Sequence, residues 1–315
     1  MSRNAPVFYF CNLKRKNMVK ITPGEIPVPE LHGFLLGSVG PRPIAFASTI
    51  NENGQHNLSP FSFFNVFSAN PPIAIFSPAR RVRNNTTKHT LENAQATREV
   101  VINIVNYNIV EQMSLSSTEY PEGVNEFEKA GLTPVASEHI KPMRVQESPV
   151  QMECKVREIV ELGNEGGAGN LVICEILCLH VNENILDKNG KIDQTKIDLV
   201  GRMGGNYYCR AKGDALFEIA KPLRNLGIGI DAIPDEIKNS TILTGNHLGK
   251  LGNVEEMPDE TDVNDYKLTE LSDLFIELQD QPAKLETKLH QLAAQLLDEG
   301  RVTEAWKTLL TYNDR

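Results

Sequence analysis

Between Leu35 and Ser77 short apolar runs alternate with turn chemistry, and this stretch restricts the fold more than any other. Ile44–Ile50 has strand length and is entered through GPRPIAF. NENGQHN (51–57) follows, with an Asn-Gly pair of the kind that closes hairpins. LSPFSFFNVFS comes next, then Pro71 and Pro72, then a third run from Ile73 to Ser77. Short strands separated by turns at this spacing predict a barrel or a sandwich.

The pattern continues beyond that core. Thr90–Ala96 reads as a short helix with Thr90 as its cap. Val100–Val105 reads as a strand, Ile109–Leu115 as a short helix, and the acidic Tyr120–Gly131 as a surface loop and helix. Val150–Val160 and Asn170–Val181 form a second β pair joined by the flexible GNEGGAG (163–169). Asp187–Asp193 carries another Asn-Gly turn, and Leu199–Tyr208 closes the β-rich part.

Composition changes near Pro234. Asp235–Met257 reads as irregular. From Tyr266 on, Leu268, Leu271, Leu274, Phe275 and Leu278 recur at helical spacing. Pro282 interrupts that pattern, and Leu285, Leu289, Leu292, Leu296 and Leu297 continue it on a second helix, which Gly300 ends. Thr303 caps a third helix bearing Ala305, Trp306, Leu309 and Leu310. EGRVTEAWKTLL is similar to one helix of a tetratricopeptide repeat, but a stable solenoid needs at least about three repeats. The expected class is mainly β with helices (α+β), in three parts. Residues 1–17 form a poorly ordered tail, 18–234 a β-rich domain, and 235–315 an extension that is irregular and then helical.

Composition excludes several functions. No apolar run approaches the roughly 18 residues that span a bilayer. The formal charge of −9 over 315 residues argues against nucleic acid, though not against a small anion met by local donors. Five cysteines at irregular spacing include no C-x-x-C, so neither a zinc ribbon nor a redox pair is indicated. Cys174 and Cys178 lie in an apolar run and read as buried free thiols, which fits a reducing, cytoplasmic compartment. The histidines show no His-x-x-x-His, so no metal is expected, and no Gly-x-Ser-x-Gly elbow occurs. DKNGKID has Lys191 where a calcium loop needs an acceptor. GNEGGAGN opens no helix and is not a dinucleotide fingerprint.

Two segments could carry chemistry. SPARRVRNNTTKHT (77–90) holds Arg80, Arg81, Arg83 and Lys88 with no acid, and Asn84, Asn85, Thr86, Thr87 and Thr90 add polar groups. A helix starting near Thr90 would contribute free N–H groups. The segment reads equally as a phosphate site or as a solvated basic loop. In NLSPFSFFNVFSANPP (57–72), Phe61, Phe63 and Phe64 are interleaved with Ser59, Ser62 and Asn65. Such a mix offers apolar walls and polar main chain to a flat ring, though taken alone the stretch reads first as a buried strand with a proline bend.

Taken in order, GPRPIAFAST, the hairpin turn, NLSPFSFFNVFSANPPIAIFSP and a Lys-x-Thr before a helix resemble the flavin reductase family, whose members share an FMN-binding split β-barrel. ESPVQMEC, LVICEILCLHV and DLVGRMGGNYY resemble its later strands, so the likeness covers roughly 37–222. The resemblance implies an FMN site. Ser48 and Thr49 would lie near the flavin, and Ser59, Pro60, Phe61, Ser62, Phe63 and Phe64 would run along the isoalloxazine edge. Ser77, Thr87, Lys88 and Thr90 would hold the phosphate, with Arg42 and Arg202 as further ligands or gates. Where many relatives read Lys-Asp-Thr this chain has Lys88-His89-Thr90, so His89 either binds phosphate itself or marks a divergent loop. The resemblance also implies a homodimer with flavin near its interface. It implies an NAD(P)H-dependent reductase passing hydride from nicotinamide C4 to flavin N5 without a catalytic side chain. A flavoredoxin-like electron carrier and a flavin-free scaffold are the competing classes.

Overall fold

The computed structural model describes residues 18–121, 123–219 and 226–312; the tail expected over 1–17 lies outside them. The chain divides into two compact units, Val19–Phe217 and a second beginning at Glu218. The division falls earlier than the composition shift at Pro234. Ile228 and Ile233 already belong to the second unit's core, and Ile228 N–H donates to the Val254 carbonyl at 2.8 Å.

The first unit is built on one antiparallel sheet. Its strands are β1 (Ala45–Ile50), β2 (His56–Phe61), β3 (Phe64–Ala69), β4 (Pro72–Phe76), β5 (Glu99–Ile104), β6 (Val150–Glu161) and β7 (Asn170–Val181). They are hydrogen-bonded in the order β2-β1-β5-β6-β7-β4-β3. β2 and β3 are therefore opposite edges, although only Ser62 and Phe63 separate them in the chain. Seven flat strands would hold those edges about 29 Å apart. Phe61 to Phe64 spans at most roughly 11 Å. The sheet must curl until its edges meet at Ser62–Phe63, which makes a barrel with an open seam.

β1 is buried on both faces. Ala45 and Ala47 face the barrel interior with Phe61, Phe64, Phe76 and Val172. Ile44 and Phe46 face outward under a cover formed by Ile109, Met113, Phe127 and Leu132. The segment read as a surface loop and helix therefore buries Phe127, which is 1% exposed. Cys154 and Cys174 are buried in the interior and Cys178 is half-buried; burial pushes the Cys174 thiol up to about 12.

Two helices frame the seam. α1 (Val28–Ser38) has no counterpart in the sequence reading and buries none of its residues. α2 (His89–Thr97) starts with Lys88 as its N-cap, so Thr90 lies inside the helix and does not cap it. Thr90 is buried and its hydroxyl accepts a hydrogen bond from Asn57 at 2.9 Å.

The second unit is helical. Its cores gather around Trp306, whose indole N–H donates to the Leu251 carbonyl at 3.1 Å, and around Leu271, Leu278, Leu285 and Leu289. Gly245–Gly252 is helical where the sequence reads as irregular, because Thr244 and His247 form a capping box. Pro282 opens the helix Pro282–Asp298 from its first turn, where a missing N–H costs nothing. Gly300 ends it at φ +79°, with the Arg301 N–H on the Leu296 carbonyl and the Gly300 N–H on that of Leu297. The next helix, Val302–Leu310, is capped at Arg301 and not at Thr303. Among the described residues no helix is long and apolar enough to cross a membrane.

Candidate functional site

Three segments converge on the seam: the β2–β3 junction, α1, and the start of the basic segment at Ser77. Phe61 and Phe64 point into the barrel, and Phe61 packs on Phe76 with ring centres 5.4 Å apart. Phe63 turns outward, 41% exposed, with its ring edge-on to His32 of α1 at 6.2 Å. Ser59, Pro60 and Ser62 are half-buried. The Phe63 carbonyl accepts the Ser77 N–H at 2.8 Å, which ties the seam to the start of the basic segment. Ser77 itself is buried, and its hydroxyl accepts the Asn170 N–H at 3.1 Å. A Cβ at Gly169 would come within 2.8 Å of that hydroxyl, so the approach requires glycine.

The basic segment is largely folded upon itself. Arg80 is held by the side chain and carbonyl of Asn85. Arg81 reaches the Thr86 hydroxyl at 3.0 Å, the Thr87 carbonyl, and Glu119 at 3.3 Å. Arg83 also pairs with Glu119. The Thr87 hydroxyl donates to Glu92. Lys88 differs from all of these. Its ammonium lies 5.2 Å from the centre of the Phe61 ring, half-buried, and makes no side-chain hydrogen bond or ion pair among the described residues. Burial lowers its pKa first and the Arg81 charge lowers it further, against an opposing pull from Glu119.

α2 is fastened to the barrel by a buried polar ladder. Thr49 and Asn57 are direct neighbours across β1 and β2. Thr49 accepts from Asn93 at 3.1 Å, and Asn57 donates to Thr90 at 2.9 Å. These bonds hold Lys88 and His89 over the barrel end. Thr49 is thus engaged by α2, while Ser48, fully buried in the same strand, has a hydroxyl with no partner among the described residues.

Two cavities meet at His89. One, about 30 Å³, is bordered by Ser59, Arg81, Lys88, His89, Thr90 and Glu119. The other, about 240 Å³, is lined by polar groups including Gln55, His56, His89, Glu92 and Asn93. Glu126 borders both. It is buried, and burial raises its pKa, countered by the Leu58 N–H that it accepts at 3.0 Å. Burial also lowers the pKa of His56.

The two arginines singled out by the sequence lie side by side and are committed to the protein. Arg42 and Arg202 form a two-bond bridge, with N–H···O distances of 3.0 and 2.9 Å. The Arg42 guanidinium donates to the carbonyls of Leu36 (2.7 Å), Val39 and Met203 (2.9 Å), and to the Ser62 hydroxyl at 3.3 Å. Burial lowers its pKa, with Arg202 adding to that. It is a clamp that joins the end of α1 to the seam. Arg202 stacks on Tyr208, 4.6 Å from the ring centre.

Sequence reading missed Asn57, Asn93, Glu119 and Glu126 as members of this site. Asn57 opens the NLSPFSFFNVFSANPP segment but nothing in that segment marks it, and Glu119 meets Arg81 across 38 residues of chain.

The residues suit FMN on one physical ground. A half-buried ammonium without a partner, beside Arg81 and above an aromatic ring, needs an anion next to an apolar wall. The flavin reductase like domain model matches residues 37–196. An uncharacterized protein of Aquifex aeolicus (strain VF5) is 39% identical over 202 residues, 64% of this chain and 98% of that protein. The crystal structure of nitrilotriacetate monooxygenase component B from Bacillus cereus is similar at 31% identity and a TM-score of 0.60, covering 65% of this chain and all (100%) of that one. The 2-nitrobenzoate 2-nitroreductase of Pseudomonas fluorescens is similar at 26% identity and a TM-score of 0.58, with coverage of 66% and 100%. This chain therefore belongs to the flavin reductase like family, as an FMN-binding flavoprotein built on a split barrel.

Proposed function

We propose that the protein is an NAD(P)H-dependent FMN oxidoreductase whose flavin lies along the barrel seam. The observation that carries this reading is the unpaired Lys88 ammonium over Phe61, at the one place where the curled sheet leaves its edges open. Lys88 and Arg81 would hold the phosphate, with the Thr90 end of α2 and His89 beside them. Ser59–Phe64 would follow the ring, with Phe61 as wall and half-buried serines near its polar edge. With FMN bound, the chemistry supplied is hydride transfer from nicotinamide C4 to flavin N5. The chain's own task is then to hold, orient and exclude water, and no side-chain base is required.

The related monooxygenase component and nitroreductase are redox proteins by name, which supports this class. A second copy of the chain would complete the site. α1 presents Val28, Phe34 and Leu35 to solvent, with Val39 exposed just past its end, and an apolar helix pinned by Arg42 that buries none of its residues needs a cover.

Anaerobic titration with each nicotinamide tests the activity. NADH or NADPH should bleach the visible flavin absorbance of the FMN-loaded protein. Failure of both, with FMN bound, would leave the flavoredoxin-like electron carrier as the reading. Absence of FMN binding would sink both.

A further inference from the structure

The pocket beneath Lys88 already contains an anion, and it belongs to the chain. Glu119 sits on its wall together with Arg81, Lys88 and Thr90. Its carboxylate lies 3.3 Å from Arg81 Nε and also contacts Arg83. Its charge favours the charged form of Lys88, against burial and Arg81. With Ser116–Tyr120 forming that wall, the pocket keeps about 30 Å³, room for about two waters. Glu119 is nevertheless held lightly. Its side chain is 46% exposed, and among the described residues it accepts no main-chain N–H, unlike the neighbouring Glu126.

We infer that Glu119 is an internal counter-ion that competes with the flavin phosphate for Arg81 and Lys88, and so keeps FMN exchangeable. The inference rests on the reading of Lys88 as a phosphate ligand. Two anions on one pair of half-buried cations repel each other, so one must leave. The Glu119 end of the Arg81–Glu119 pair is exposed to solvent, which weakens the pair enough for it to yield to a phosphate that carries more charge and more acceptor oxygens. Binding would exchange one anion for another and open the wall at the same time. Affinity for FMN would then be set by the difference between two anions, whereas affinity for riboflavin, which lacks the phosphate, would not depend on that exchange.

The test is equilibrium titration of the full-length protein, stripped of flavin, with FMN and with riboflavin. Wild type, Glu119→Gln and Lys88→Ala are compared, with circular dichroism to confirm the fold. Glu119→Gln should tighten FMN about fivefold or more and leave riboflavin unchanged. Lys88→Ala should weaken FMN alone. If Lys88→Ala weakens FMN while Glu119→Gln leaves it unchanged or weaker, Glu119 helps or ignores the phosphate and the inference is overturned by itself. Equal tightening of riboflavin in Glu119→Gln also overturns it. If Lys88→Ala leaves FMN unaffected, the phosphate reading falls and takes the inference with it.

Discussion

Lys88 shows how little a residue's neighbours in sequence say about its state. It stands among arginines of the same charge, yet those arginines are engaged by Asn85, Thr86, Thr87 and Glu119, and Lys88 is left over the Phe61 ring. A charge-assisted hydrogen bond from this ammonium to phosphate is worth on the order of 1.5–3 kcal/mol. Lys88→Ala should therefore cost about tenfold or more in FMN affinity, read by quenching of flavin fluorescence on binding. An unchanged constant would remove Lys88 from the site. Arg42 makes the opposite point. In the sequence it is a free cation and a candidate ligand, and in the fold its donors are taken by three carbonyls and a hydroxyl.

At the scale of the element, α1 and α2 solve different problems. α2 is fixed from beneath by Thr49–Asn93 and Asn57–Thr90, so its start, and with it Lys88 and His89, has a defined place. α1 is held by Arg42 at its end and by the His32–Phe63 contact, and leaves an apolar face in water, which a single copy of the chain does not explain. Phe34→Asp places a charge on that face, where the side chain is 49% exposed and its loss leaves no cavity. If the proposed homodimer forms through this face, light scattering should show wild type as a dimer and the variant as a monomer, with the circular dichroism unchanged; a monomeric wild type would overturn the dimer. A variant that stays dimeric would locate the interface elsewhere. The strands were legible because each fits within a short window bounded by turns, as Ile44–Ile50 and Asn170–Val181 show. α1 was not, since VPELHGFLLGS has two glycines and an apolar content that no polar face balances.

For the whole molecule, one buried carboxylate ties the middle of β6 to a distant loop. Glu153 is completely buried and accepts the N–H groups of Glu138 (2.8 Å) and His139 (2.7 Å), while His180 Nε2 lies 2.8 Å away. Burial alone would raise its pKa. The two N–H donors and His180 outweigh that and lower it below the ordinary carboxylate value. The unfolded chain then binds the proton more readily than the folded one, so the contribution of Glu153 is present above a pH of about 4.3 and is lost as pH falls through the depressed folded value. Urea midpoints measured down a pH series should drop in that acid range. Glu153→Gln should lower stability by about 1.5–3 kcal/mol near neutrality and flatten the acid limb. An acid limb identical to wild type would show that other carboxylates control it.

The amino-acid sequence alone indicated most strands, their turns and the basic segment, because propensity and periodicity act over a few neighbouring residues; it ran LSPFSFFNVFS together, and only the fold breaks that run at Ser62–Phe63 into β2 and β3. The sequence also indicated the helical repeats around Leu285 and Trp306. The tertiary structure decided that β2 and β3 are opposite edges brought together at Ser62–Phe63, the seam along which the flavin is proposed to lie. It also placed Glu119 against Arg81 and Arg83, and turned Arg42 into a clamp. Those outcomes follow from how far the sheet curls and which distant charges it brings within a few ångströms, and no local window contains that information.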